Sequence, residues 1–259
     1  MNERPALLSC TGLEVAINGV SVVSDLNLEL RPGQSWCLLG RNGVGKTTLL
    51  HTLAGLRPAQ GGSLLLGGRP LHQVSRKQIA QKLGILLQQQ TDSFPASVRE
   101  TVLQGRHPFL HAWQWEGAGD QQLVTTVLRE LELEALQSRN VQTLSGGERQ
   151  RVAVATLLAQ QTDLLLLDEP VNHLDVKHRL ELLRMLNTDY RARGCATMLS
   201  LHDINLAARF CDHALLLFGK GEFRQGRMDE VLDLQTLEAL YGYPLMELDT
   251  PAGKAWLPR

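Results

Sequence analysis

No apolar run in this 259-residue chain approaches the roughly 18–20 residues that a membrane-spanning helix needs. The longest runs, at 164–167 and 214–218, have the length of strands. The chain is therefore expected not to cross a bilayer by itself. The first thirty residues carry Glu3, Glu14, Asp25 and Glu29 and no continuous apolar stretch, so no signal peptide is expected. Excess charge of one sign is missing too. Lys plus Arg is 26 and Asp plus Glu is 27, a formal charge of -1, which argues against direct nucleic-acid binding through bulk positive charge. Cysteine is scarce and scattered. Cys10, Cys37, Cys195 and Cys211 form no CxxC pair and read as buried thiols or bystanders in a reducing compartment. No aromatic residue precedes Trp36, and no repeat or low-complexity segment is visible.

What is present is an ordinary globular composition, 43% hydrophobic and 20% charged, in a chain long enough for a sizeable core. Leu13, Val15 and Ile17, then Leu26, Leu28 and Leu30, alternate as strands do. Asn18-Gly19 between them is a hairpin signal. After the turn Arg31-Pro32-Gly33, residues 36–39 read as a short buried strand. A glycine-rich loop over 40–45 follows, then a helix from Lys46 to about Leu56, closed by Gly55 and Pro58. Residues 83–87, 164–167, 196–199 and 214–217 read as further strands with helices between them. That alternation predicts an α/β fold with a mainly parallel sheet. Between about 91 and 143 helical patterning takes over, as in Leu123, Val127, Leu128 and Leu131, which predicts an inserted helical subdomain. Beyond Gly219, turns at 219–221 and Gly226 precede a helix from about Met228 to Tyr241.

Gly40-Arg41-Asn42-Gly43-Val44-Gly45-Lys46-Thr47 fits GxxxxGK[ST], with a strand before and a helix after. Glycines let successive backbone N–H groups point at phosphate oxygens, and the helix aims its N-terminal partial charge at the same place. Lys46 would meet the β- and γ-phosphates, and Thr47 would offer Mg²⁺ a hydroxyl. Thr48 continues the same turn. Alone, the motif means a nucleoside triphosphate. Residues 164–167 form an apolar strand that ends in Asp168 and Glu169, at the sheet edge where α/β proteins bind ligands. There Asp168 can hold Mg²⁺ and Glu169 can polarise an attacking water, as phosphoryl transfer requires. Leu144-Ser145-Gly146-Gly147-Glu148-Arg149-Gln150 places an N-cap serine three residues before a glutamate, a capping box opening a helix over 148–160.

With the phosphate loop upstream and Asp168-Glu169 downstream, LSGGERQ resembles the signature of the ATP-binding cassette (ABC) ATPases, and the likeness covers nearly the whole chain. The resemblance implies a P-loop NTPase core with a mainly parallel sheet, an N-terminal antiparallel β subdomain and an inserted helical subdomain. The expected divisions of one domain over 1–259 are 1–33 for the antiparallel part and 34–90 with 161–218 for the core. Residues 91–160 form the helical subdomain, and 219–259 a C-terminal hairpin and helix. It also implies ATP and Mg²⁺ as cofactors and a head-to-tail homodimer. Ser145, Gly146 and Gly147 then meet the γ-phosphate held by the partner's Lys46. Gln88 matches the glutamine that senses Mg²⁺, with Gln89 and Gln90 as alternatives one or two residues on. Asn172-His173-Leu174-Asp175 resembles the loop through which the two sites communicate, with Asp175 as its acid. His202 resembles the switch histidine on the γ-phosphate. Glu169, His202 and Lys46 are thus the expected catalytic residues. One position departs: the family usually stacks an aromatic ring on adenine near residue 17, where this chain has Ile17. Isoleucine can pack against a base but offers no π-stacking, which leaves GTP use open.

Two other signals carry less. His107 and His111 have metal-pair spacing, but Pro108 disfavours helical geometry between them. Phe109, Trp113 and Trp115 read either as core of the helical subdomain or as part of a protein-contact surface. The length, without coiled-coil insertion, second cassette or fused membrane segment, resembles the ATPase subunit of a bacterial importer. The segment 101–108, Leu201-His202-Asp203-Ile204-Asn205-Leu206-Ala207 and Leu240-Tyr241-Gly242 resemble the importers of iron–siderophores, haem and cobalamin. Polytopic permease subunits, a substrate-binding protein and a place at the cytoplasmic face of the plasma membrane are implied. A mechanical ATPase not linked to transport, or an importer cassette for a different solute, stays as the alternative. A GTPase lacks its NKxD motif here, and a kinase does not explain LSGGERQ.

Overall fold

The computed structural model describes residues 5–88, 95–111, 113–250 and 253–259. The alternative glutamines, Gln89 and Gln90, lie outside the described residues. The chain opens with β1 (Leu8–Ile17) and β2 (Val20–Leu30), joined at Ile17↔Val20. Asn18 and Gly19 take φ of 50° and 78°, the left-handed pair that a two-residue hairpin needs. Then come β3 (Ser35–Gly40), α1 (Lys46–Leu53), β4 (Gly61–Leu66) and β5 (Arg69–Pro70). α1 stops short of Leu56 because Gly55 turns left-handed at φ 70°. β4 returns to pair with β1, Leu8↔Leu66, giving an antiparallel sheet of order β2-β1-β4-β5. The antiparallel part is therefore not confined to 1–33 but takes in strands from 61–70.

α2 (Arg76–Lys82), β6 (Leu83–Leu86), α3 (Val98–Leu103), α4 (Ala118–Glu130) and α5 (Gly146–Ala159) follow, then β7 (Leu164–Leu167), α6 (Val176–Met185) and β8 (Ala196–Ser200). Next are α7 (Ile204–Phe210), β9 (His213–Gly219), β10 (Glu222–Arg227), α8 (Met228–Val231), α9 (Leu234–Tyr241), β11 (Leu245–Thr250) and β12 (Gly253–Pro258). The helix expected over 228–241 is split: Asp233 accepts the Thr236 N–H at 2.7 Å and starts α9 afresh. The second sheet has order β10-β9-β3-β8-β7-β6 and is parallel except for β10 at its edge.

The parallel strands are apolar on both faces, so period two sorts them into two cores. Cys37, Leu39, Leu165, Leu167, Leu199 and Leu216 face the helices, while Trp36, Leu38, Leu164, Leu166, Met198 and Leu215 face α1 and the antiparallel sheet. Val98 and Val102 of α3, Val124, Val127 and Leu128 of α4 and Val152 of α5 belong to the first of these cores. The helical subdomain is thus fused to the sheet. All four cysteines are buried.

The core reading of the aromatic cluster fails at its two tryptophans. Trp113 and Trp115 are 101% and 86% exposed. They lie beyond the 3₁₀ turn Gln104–Phe109, outside any helix that could phase them inward, and Trp113 sits at φ 67°. Phe109 instead lies under the Arg106 guanidinium, 4.3 Å from its ring centre. His107 belongs to that 3₁₀ turn and His111 lies past it, so they do not share a helix face.

Candidate active site

Four neighbouring parallel strands deliver the expected residues to one sheet edge, their C-terminal ends. β3 runs into the loop 40–45, β6 leads to Gln88, β7 to Asp168 and Glu169, and β8 to His202. Between them lies a cleft of about 620 Å³ whose walls include Ile17, Asn42, Gly43, Thr48 and Gln88.

The loop is held by its own backbone and by Lys46. Gly45 takes φ 110° as it enters α1, and a Cβ there would stand 2.5 Å from a Val22 methyl, so no side chain fits. Arg41 accepts the Val44 N–H at 3.3 Å. Lys46 is buried, and its Nζ donates to the carbonyls of Gly40 at 2.8 Å and Arg41 at 3.2 Å. Burial pulls the ammonium pKa down, while the carboxylates of Glu169 and Asp168 work against that pull. A phosphate arriving in the cleft would supply a further negative partner for this buried cation.

Asp168 is 1% exposed, and both its oxygens accept hydroxyl hydrogen bonds: Oδ2 from Thr47 at 2.5 Å and Oδ1 from Ser200 at 2.7 Å. Glu169 sits at φ 52° and presents its carboxylate to three side chains. Oε1 lies 2.6 Å from His202 Nε2, and Oε2 accepts from Gln88 Nε2 at 3.1 Å and from Asn172 Nδ2. The Glu169 N–H donates to Ser200 at 2.8 Å. Sequence reasoning passed over Ser200 and gave Asn172 no contact of its own. A lone hydroxyl at the end of an apolar strand, and an amide three residues past a glutamate, were the available signals. Thr47, Asp168 and Gln88 offer hydroxyl, carboxylate and amide oxygens, the hard donors that Mg²⁺ takes alongside phosphate. The donor chemistry therefore fits that cation.

The remaining expected residues do not line this cleft. Ser145 caps α5, accepting the Glu148 N–H at 3.3 Å while Glu148 accepts the Ser145 N–H at 2.7 Å. The Ser145 N–H, chiefly, and then the Ser145 hydroxyl hold the Glu148 carboxyl below the usual range. Gly146 is exposed at the helix mouth, and Gly147 lies against the carbonyl of His173. Asp175 caps α6 through the His178 N–H at 2.9 Å and contacts the His178 ring. The signature and Asp175 thus stand on a separate, partly open surface, joined to the cleft by the loop after Glu169.

The description "ABC transporter" fits residues 23–172, more than half of the chain. The ferric enterobactin transport ATP-binding protein FepC of Escherichia coli (strain K12) is 34% identical, across 97% of this chain and 93% of that protein. The hemin import ATP-binding protein HmuV of Pseudomonas fluorescens (strain Pf0-1) is 38% identical, across 93% of this chain and 94% of that protein. The chain belongs to the ABC transporter family. As an ABC cassette it also resembles the probable siderophore transport system ATP-binding protein YusV of Bacillus subtilis (strain 168), 35% identical over 90% of this chain and 85% of that protein. Among solved structures, a transporter described as metal-chelate type, in an inward-facing conformation, superposes at TM-score 0.84 and 26% identity, covering 99% of this cassette and 98% of that chain. The cassette fold, with its antiparallel part, mainly parallel sheet and helices, and its place among ATP-hydrolysing subunits, agree with the reading of the sequence.

Proposed function

We propose that this cassette is the ATP-hydrolysing subunit of an importer of metal chelates, with iron–siderophore and haem ahead of cobalamin. The observation that carries the hydrolytic part is the convergence on one edge of Lys46, Asp168, Glu169 and His202, with His202 Nε2 at 2.6 Å from Glu169. The siderophore and hemin names of the relatives support the cargo class.

In this reading the loop residues Gly40, Arg41, Asn42, Gly43, Val44 and Gly45 cradle the phosphates with Lys46, Thr47 and Thr48, and Ile17 packs against the base. Thr47, Asp168 and Gln88 would hold Mg²⁺, which when bound would supply positive charge to offset that of the phosphate oxygens. Glu169 orients a water whose oxygen attacks the γ-phosphorus in line, while the bond to the β–γ bridging oxygen breaks. Lys46 and His202 stabilise the charge that develops. For His202 to reach the γ-phosphate it must leave Glu169 Oε1, which frees that oxygen for water. Ser145, Gly146 and Gly147 close the site of a second copy, and Asp175 lies on the loop between the two sites. No helix among the described residues is long and apolar enough to cross a membrane. The reading places the cassette dimer on the cytoplasmic face of the plasma membrane, on separate polytopic subunits, with a substrate-binding protein in the same system.

Glu169→Gln is expected to keep ATP binding, lose most turnover and accumulate closed dimers in size-exclusion chromatography with ATP. Near-normal steady-state hydrolysis would sink the role given to Glu169. Reconstitution with the membrane subunits in proteoliposomes should give ATP-dependent uptake of a ferric siderophore or haem. ATP hydrolysis without association with any polytopic subunit would favour the mechanical ATPase.

A further inference from the structure

Ser200 is fully buried at the end of β8, between the apolar Leu199 and Leu201. Burying a hydroxyl is costly unless it is paired, and this one is paired twice. It donates to Asp168 Oδ1 at 2.7 Å and accepts the Glu169 N–H at 2.8 Å. One side chain thus touches both members of the acidic pair, whose jobs differ in the function proposed above.

We propose that Ser200 is a positioning residue for hydrolysis, fixing the Asp168 carboxylate for the divalent cation and the Glu169 turn that aims the water-orienting carboxylate. The inference rests on the roles assigned above to Asp168 and Glu169. With Thr47 on Oδ2 and Ser200 on Oδ1, the carboxylate plane cannot rotate without breaking a charge-assisted hydrogen bond in a buried place. Thr47 is also a cation donor in this reading, so Ser200 is the anchor that has no second task. At Glu169 the left-handed φ of 52° is a conformation that a non-glycine residue keeps only when its surroundings hold it. Ser200 holds the N–H side, and the Asn172 N–H holds the Glu169 carbonyl at 3.2 Å. Without the hydroxyl, Asp168 Oδ1 loses a donor and the Glu169 N–H loses its acceptor. Neither lost hydrogen bond is made to residues 40–45 or to Lys46.

The test uses the full chain and a non-hydrolysable ATP analogue, with affinity measured by calorimetry in EDTA and in Mg²⁺, beside steady-state ATP turnover. Ser200→Ala is expected to bind the analogue in EDTA within about twofold of the parent. Its Mg²⁺-dependent gain in affinity should shrink roughly tenfold, and kcat should fall by a similar factor. Ser200→Thr, which keeps the hydroxyl, should restore both. Should the alanine chain not fold, Ser200→Cys carries the same test, because a thiol is near-isosteric and a weak donor. Asp168→Asn separates the two layers of the argument. If it keeps the parental Mg²⁺ gain, the role of Asp168 is wrong and the inference falls with it. If Asp168→Asn loses that gain while Ser200→Ala keeps both the gain and kcat, only the inference about Ser200 is overturned. A Ser200→Ala chain that weakens equally in EDTA and in Mg²⁺ also overturns it, since that pattern is general damage.

Discussion

A single added methyl at the mouth of α5 is expected to act oppositely at two adjacent glycines. A Cβ on Gly147 would lie 2.8 Å from the carbonyl oxygen of His173. That atom is backbone and has little room to retreat. His173 is itself left-handed at φ 63°, and its loop is tied down by Asn172 on Glu169 and by the Asp175 cap on α6. Either the helix or the loop must shift by about half an ångström, and overpacking of this kind costs about 1–3 kcal/mol. Taking about 2 kcal/mol, a chain of this size should melt about 4–8 °C lower as Gly147→Ala. On Gly146 the nearest atoms to the new methyl are side-chain atoms of His173 at 3.8 and 3.9 Å, ordinary van der Waals distance. There the helical preference of alanine over glycine, up to about 1 kcal/mol, should leave the melting temperature unchanged or slightly higher. Activity should not follow stability. Gly146 is exposed where the proposed dimer brings the other copy's γ-phosphate, so Gly146→Ala should keep its fold and lose ATP turnover about tenfold or more. Differential scanning fluorimetry and a phosphate-release assay on the two purified variants decide the matter. A Gly147→Ala chain melting within about 1 °C of the parent, or a Gly146→Ala chain falling just as far, would refute the packing argument.

The link between Arg106 and Asp120 should show in pH. Arg106 donates to Asp120 Oδ1 at 2.7 Å and to the Ala159 carbonyl at 2.9 Å, pinning α4 to the end of α5. The guanidinium, chiefly, holds the Asp120 carboxyl below its usual 3.8, so its contribution is full above that range and is lost as pH falls through the lower folded value. Asp120→Asn should therefore cost about 1–2 kcal/mol at pH 7, with the deficit in melting temperature narrowing at pH 3; an equal deficit at both would refute the linkage. At the nucleobase, Ile17→Tyr should supply the missing stack and lower the ATP KM about tenfold, while an unchanged KM would mean that the base does not lie over residue 17.

The parts of this site that were legible in the sequence are those specified by local pattern. An apolar tetrad such as Leu164–Leu167 has the length of a strand buried on both faces, and as a strand it carries the acids after it to a sheet edge. A strand, six loop residues and a lysine-led helix likewise define the phosphate cradle without knowledge of the rest. Pairings over long sequence separation were not legible. Nothing in residues 61–70 announces that Leu66 will oppose Leu8, because the hydrogen bonds of a sheet edge carry no residue signature. Of the two readings of Trp113 and Trp115, the core one fails for a related reason. Their apolar bulk argues for the core, but the argument needs a phased element to turn them inward, and Pro108 and the left-handed Trp113 break that phase. Ser200 and Asn172 escaped because their partners are 32 and 3 residues away, around two acids that the sequence had already assigned tasks of their own.

The loop after β7 makes the acidic pair and the signature parts of one device. At its start Glu169 is held by Asn172, His202 and Gln88, all within the cleft of its own chain. One residue beyond Asn172, the His173 carbonyl lies against Gly147 at the mouth of α5, and Gln150 of α5 donates to the Pro170 carbonyl at 3.0 Å. Two residues beyond His173, Asp175 caps α6. His202 and Asn172 hold the two oxygens of the same Glu169 carboxylate, and Asn172 is covalently next to the residue that α5 leans on. In the head-to-tail pair proposed above, the α5 mouth would serve the other copy's nucleotide. In the function proposed above, this contiguous run of about half a dozen residues would be the route from the Glu169 carboxylate to the second site. Asn172→Ala separates the ends of that path. It removes the side-chain contact to Glu169 but keeps the Asn172 N–H bond to the Glu169 carbonyl and the Asp175 cap. Under the proposed route it is expected to weaken cooperativity in ATP turnover more than ATP binding; unchanged cooperativity would refute the route.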